Sequence, residues 1–133
     1  MTKARVERFL NEFSQWASEQ SHIQGVALVG SHARGTATET SDLDLVVLAD
    51  QPWMYLRDRT WTQAFGKIVN EQVENYGNVT SLRVHYEGQL EVEYGLTDEN
   101  WAAVPLDSGT REVVSGGMKV LFERWALLSR HTA

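Results

Sequence analysis

The chain of 133 residues contains no cysteine, which excludes disulfides and thiolate metal sites. No apolar run is long enough for a membrane span or a signal peptide, and the first residues are charged and amphipathic. The expected location is therefore cytoplasmic. Positive charge is in short supply: 12 Lys and Arg stand against 18 Asp and Glu, for a formal charge of −6 and a pI near 5.1. That balance argues against a large nucleic-acid footprint, which needs a basic face. It suits a cationic acceptor, although many proteins are acidic for solubility alone. Internal repeats, low-complexity tracts and linkers are also missing. What remains is 42% hydrophobic and 23% charged, the composition of an ordinary globular domain. One domain over residues 1–133 is expected, long enough for a real core.

The most informative stretch is residues 30–47. An apolar run over residues 23–29 reads as a buried strand and stops at Gly30-Ser31. A small-residue loop with Gly35 and three threonines follows. Ser41-Asp42-Leu43-Asp44 then opens a second apolar run, read as a strand over roughly 42–49. Strand side chains alternate faces, so Asp42 and Asp44 point the same way. Like charges side by side on a sheet are unfavourable without a cation between them. A divalent metal is the usual partner, and a Gly-Ser turn nearby suits phosphate. The combination predicts metal-dependent phosphoryl or nucleotidyl transfer.

The rest of the chain is expected to form one α/β unit. Val6, Phe9, Leu10, Phe13, Trp16 and Ala17 make an i, i+3, i+4, i+7 stripe, so residues 3–20 read as a helix packed on a sheet. In the second strand Leu43, Leu45 and Val47 line one face, and Val46 and Leu48 share the face of the aspartates. Both faces are apolar beyond the acidic end, as in a central strand covered on both sides. Asp50 and Pro52 mark a helix start, with helix expected to Phe65 and a stop at Gly66. Residues 67–76 fit either a helix or a strand, and Gly77-Asn78 a turn. Residues 80–86 and 89–96 alternate as a hairpin about Glu87-Gly88. Its second arm puts Glu91 and Glu93 on one face, with Leu90, Val92 and Tyr94 on the other. Beyond it, a helical turn carrying Trp101, a loop at 105–110, a short strand at 111–114, a Gly116-Gly117 turn, a strand at 118–122 and a helix at 124–130 are expected.

Gly30-Ser31, Gly35 and Ser41-Asp42-Leu43-Asp44-Leu45 together resemble the fingerprint of the nucleotidyltransferases of the DNA polymerase β superfamily. The Ala33-Arg34-Gly35 filling is most similar to the minimal bacterial members, among them antibiotic adenylyltransferases and nucleotidyltransferase antitoxins. Trp61, Phe65-Gly66, Gly88 and Glu93 extend the resemblance to the N-terminal half of aminoglycoside adenylyltransferases. It covers most of residues 20–97 and is weak beyond Trp101. The resemblance implies an α/β (α+β) nucleotidyltransferase fold, a small mixed sheet with helices mainly on one side. It also implies a Mg2+-dependent reaction at a two-metal site, with ATP or another nucleoside triphosphate as donor and a hydroxyl as acceptor.

In that chemistry a hydroxyl attacks the α-phosphate in line and expels pyrophosphate, with two magnesium ions stabilising the entering and leaving oxygens. Magnesium prefers hard carboxylate ligands and keeps positions for phosphate and water. Asp42 and Asp44 are the expected metal-bridging and catalytic residues. Glu91 and Glu93 both face the right way for a third carboxylate; the family pattern, an acid just before an aromatic or apolar residue closing the strand, implies Glu93. Gly30 lets the backbone approach the triphosphate, and Ser31 with the following N–H groups holds phosphates. Arg34 and Ser41 complete the nucleotide-binding set, Arg34 as a phosphate contact or a solvated loop residue, Ser41 by orienting the loop through backbone hydrogen bonds. His22, His85 and His131 lack metal-ligand spacing, and His32 either reaches the nucleotide or lies on the surface. Trp53 or Trp101 is a candidate for an acceptor cleft.

The acceptor is the least specified element. Aminoglycoside-type relatives carry an extra helical domain that helps to form its site, for which this length leaves no room. The acceptor is then small, a partner protein, or bound across a homodimer. An antitoxin that binds and modifies a helical toxin is an alternative from another class, and a non-catalytic nucleotide-binding module is a third.

Overall fold

The computed structural model describes residues 2–104 and 106–131. The first helix, α1 (Lys3–Ser18), opens on Thr2, whose hydroxyl accepts the Arg5 N–H at 3.1 Å. It buries Val6, Phe9, Phe13 and Ala17, the stripe that its 3.6-residue period predicts. β1 (Ile23–Val29) and β2 (Leu43–Ala49) follow, separated by the single turn α2 (Ser31–Arg34) and a threonine-rich loop. After α3 (Trp53–Arg57) and a 3₁₀ turn (Thr60–Phe65) come β3 (Ile68–Tyr76), β4 (Val79–Tyr86) and β5 (Leu90–Thr97). A 3₁₀ turn (Glu99–Ala102), α4 (Ser108–Ser115), β6 (Met118–Glu123) and a last 3₁₀ turn (Ser129–His131) complete the chain.

The strands form one six-stranded sheet in the order β3-β4-β5-β2-β1-β6. β2 and β5 run parallel, and the other neighbours antiparallel. The expected mixed α/β architecture is therefore what forms. One face packs against α1, α3 and the first 3₁₀ turn, burying Leu43, Leu45, Val47, Val92 and Tyr94. Phe13 lies at the centre, its ring 5.3–6.4 Å from those of Trp16, Trp61, Phe65 and Tyr94. The opposite face carries a smaller cluster of Ala27, Val29, Val46, Leu48, Trp101, Ala102 and Leu128. The two-sided covering of β2 inferred from its alternation is thus present.

Three local expectations change, and one left open is decided. Residues 111–114 are helical and belong to α4, because the Asp107 carboxylate accepts the Thr110 N–H at 2.7 Å and caps the helix start. The β-branched Val113-Val114 pair suggested a strand, but a side-chain cap outweighs a weak local preference. Helix over 53–65 breaks at Asp58, whose carboxylate takes the Thr60 N–H and hydroxyl at 3.1 and 2.7 Å. Residues 124–130 do not make a regular helix. Glu123 captures the Leu128 and Ser129 N–H groups, and Arg124 reaches back to the carbonyls of Ile23, Ser18 and Gln20. The ambiguous stretch at 67–76 is an edge strand. Pro105, the first residue of the expected loop, lies outside the described residues.

Candidate active site

Sheet register builds the site. Asp44 sits near the start of β2, opposite Val29 of β1 on one side and Glu93 of β5 on the other. Gly30 directly follows Val29, so the turn after β1 lies against the Asp44 carboxyl. A Cβ at Gly30 would stand 2.4 Å from Asp44 Oδ2, and the residue has φ +75°. Both the left-handed backbone and the close approach require glycine here. Gly30 caps α2, and its carbonyl accepts the N–H groups of Ala33 and Arg34 at 3.1 Å.

Asp42, Asp44 and Glu93 each offer an oxygen within 4.8 Å of the others. Burial, followed by the charges of Asp42 and Glu93, raises the Asp44 pKa to about 7. A hydrogen bond between Asp44 and Glu93 adds to this rise, and Arg83 opposes it. Such a bond exists when one of the two acids carries a proton; otherwise it is a repulsive contact. Asp44 Oδ1 is buried and has no hydrogen-bond partner among the described residues. An orphaned carboxylate oxygen facing two further carboxylates is costly in a metal-free protein. It is well matched to a hard divalent cation, for which carboxylates are the preferred donors. The residues therefore fit magnesium, with Asp42, Asp44 and Glu93 as the groups that would hold it.

Glu91 is placed differently. Its oxygens lie 2.6 Å from His85 Nε2 and 3.4 Å from Arg83 Nη1, and it is outside the three-acid group. Ser41 accepts the Thr38 N–H at 2.8 Å and so pins the loop before β2. Arg34 leans on the α4–β6 turn, donating to the Gly116 carbonyl at 3.4 Å. Ser31 begins α2 beside Gly30, and its carbonyl accepts from Thr36. His32 lines a separate hollow with Glu7 and Lys119, His22 pairs with Asp50, and His131 binds the Ala102 carbonyl.

A cavity of about 400 Å³ opens beside the acids, between Asp44, Glu93, Arg34, Tyr76, Gly95 and Trp101. Trp101 is a wall of this cavity, whereas Trp53 is exposed and elsewhere. Gly95 keeps its floor open, since a Cβ there would meet the Leu45 carbonyl at 3.0 Å and Val79 at 3.2 Å.

Sequence reasoning missed Arg83. It stands opposite Glu93 in the β4/β5 pair. Its Nη1 donates to Asp42 Oδ2 at 2.8 Å and its Nη2 to Glu93 Oε2 at 2.9 Å. Its Nε donates to Glu74 Oε1 at 2.9 Å. The bond to Glu74 is the largest influence holding the guanidinium in its charged form, against the effect of burial. The expected two-residue turn at Glu87-Gly88 would have paired Arg83 with Val92; the turn takes three residues, 87–89, and so places Arg83 and His85 across from Glu93 and Glu91.

Asp42 just before the central strand, Asp44 on it, Glu93 on its parallel neighbour and the Gly30 turn against Asp44 thus form one acidic cluster beside the cavity. Residues 6–93 match the nucleotidyltransferase domain family, well over half the chain, and the protein belongs to that family. Among solved structures it resembles an aminoglycoside 6-adenyltransferase from Bacillus subtilis, with a TM-score of 0.58 and 16% sequence identity. That match covers 77% of this chain and 37% of the other, so what is shared is the fold. None of the curated proteins matches the chain. No helix among the described residues is long and apolar enough to cross a membrane.

Proposed function

We propose that the protein is a Mg2+-dependent nucleotidyltransferase that moves a nucleoside monophosphate, AMP from ATP, onto an acceptor hydroxyl and releases pyrophosphate. The observation that carries this reading is the buried, unpartnered Asp44 Oδ1 within the three-carboxylate group. Asp42, Asp44 and Glu93 would hold the metal, which when bound would stabilise charge on the entering and leaving oxygens. The Gly30 turn brings the backbone close to the triphosphate, and the Ser31 and His32 N–H groups opening α2, with the Ser31 hydroxyl, bind its oxygens. Ser41 fixes the loop, and Arg34 at the cavity wall contributes positive charge toward the nucleotide.

The acceptor oxygen forms a bond to the α-phosphorus while the bond from that phosphorus to the bridging oxygen breaks. Pyrophosphate leaves, and the hydroxyl proton passes to a Glu93 carboxylate oxygen. The adjoining cavity, walled by Tyr76 and Trp101, receives the apolar body of the acceptor or of the nucleoside. Positioning of this kind, together with charge stabilisation, supplies most of the catalysis in such transfers.

The test uses ATP labelled at either the α- or the γ-phosphate, with Mg2+ and a pool of small hydroxyl compounds and proteins. Transfer of the α-label to an acceptor, with the γ-label in pyrophosphate, supports the reading. Transfer of the γ-label indicates a phosphotransferase instead.

A further inference from the structure

The acid cluster already contains a cation. Arg83 Nη1 and Nη2 bind Asp42 Oδ2 and Glu93 Oε2 at 2.8 and 2.9 Å, two of the three carboxylates assigned above to the metal. The third, Asp44, receives no donor at Oδ1. A guanidinium fork matches paired carboxylate oxygens in a way that a lysine point charge does not. Arg83 is also anchored outside the cluster. Its Nε is bonded to Glu74 on β3, and the Tyr76 hydroxyl donates to the other Glu74 oxygen at 2.7 Å. The guanidinium is thus suspended between the acids of the site and a carboxylate held ready on the edge strand.

We propose that Arg83 is the resident counter-ion of the metal-free site, positioning Asp42 and Glu93 and competing with the divalent cation for them. The proposal rests on the metal assignment above. Three carboxylates this close repel one another, and Arg83 neutralises part of that repulsion while the site waits for metal. When a divalent ion binds the same oxygens, two cations stand within a few ångströms and oppose each other. The fork then withdraws from Asp42 and Glu93, while Nε keeps its charge-assisted bond to Glu74. Metal affinity without nucleotide is held down as a result. A nucleoside triphosphate brings further anionic oxygens, which offset the cation–cation repulsion and favour loading with substrate.

The experiment measures Mn2+ binding by electron paramagnetic resonance without nucleotide, for the wild type, Arg83→Gln and Asp44→Asn. Arg83→Gln is expected to bind Mn2+ about tenfold or more tightly, as follows from removing a unit charge a few ångströms from a cation. It should also melt at lower temperature in chelator. A merely structural arginine predicts the opposite, weaker metal binding on removal. An Arg83→Gln affinity equal to or below wild type, with Asp44→Asn abolishing binding, overturns the counter-ion role and leaves the metal site standing. Wild-type affinity in Asp44→Asn overturns the metal site itself, and the proposal with it. If Arg83→Gln does not fold, nitrogen NMR of arginine side chains in the wild type decides: Mg2+ should shift and mobilise the Arg83 Nη signals, and unchanged signals reject the proposal.

Discussion

Asp44 is unfavourable for the empty fold and central to the proposed metal site. Its pKa, raised to about 7 first by burial and then by Asp42 and Glu93, means that the folded state binds its proton more tightly than the unfolded chain does. A raised carboxylate pKa makes the contribution of Asp44 to metal-free stability largest at low pH, and that contribution is lost as pH climbs from about 3.8 to about 7. Thermal melts in chelator should show that decline within the same window, from about 3.8 to about 7. Asp44→Asn, which cannot ionise, should flatten the decline and melt several degrees higher than wild type at the alkaline end. Parallel pH profiles for the two proteins would contradict this. At this scale the sequence was readable where residues are close in the chain. The i, i+2 spacing alone put Asp42 and Asp44 on one face, and the turn glycine adjoined the strand. Arg83 was not readable, because it meets the acids through a cross-strand register and a side chain long enough to span three strands' worth of carboxylates.

Among elements, the α1 stripe and the central strand were legible because each repeats one period over several turns or residues. The aromatic cluster beneath the sheet shows what that periodicity delivers. Phe13 is fully buried and touches the rings of five others across α1, the 3₁₀ turn and β5. Phe13→Ala is expected to cost about 3–5 kcal/mol, the range for deleting a buried aromatic side chain, as read from denaturant unfolding. A cost under about 0.5 kcal/mol, the level of a surface change, would mean that α1 is not the principal cover of this face. Segments 53–65, 108–115 and 124–130 were less legible for one physical reason. Each is short, and a single side chain (Asp58, Asp107 or Glu123) chooses its backbone by capturing nearby N–H groups. Such captures outweigh propensity in segments of one or two turns.

For the whole molecule, the two halves of the site come from different parts of the chain. Gly30, Asp42, Asp44 and Glu93 all lie within the residues 6–93 that match the family. The cavity wall beyond them, with Trp101, Glu112 and Gly116, lies outside that match. The proposed donor site was therefore legible as a motif, whereas the cavity wall beside it depends on how α4 and its flanking turns fold over the sheet. The central claim is that the three-carboxylate group supports nucleotidyl transfer, and pyrophosphate release tests it most directly. With ATP, Mg2+ and a pool of acceptors, the wild type should release pyrophosphate, and Asp44→Asn, folded by circular dichroism, should lose that activity by at least about a hundredfold, the low end for removing a group that stabilises transition-state charge. Equal pyrophosphate release by the two proteins would contradict the assignment.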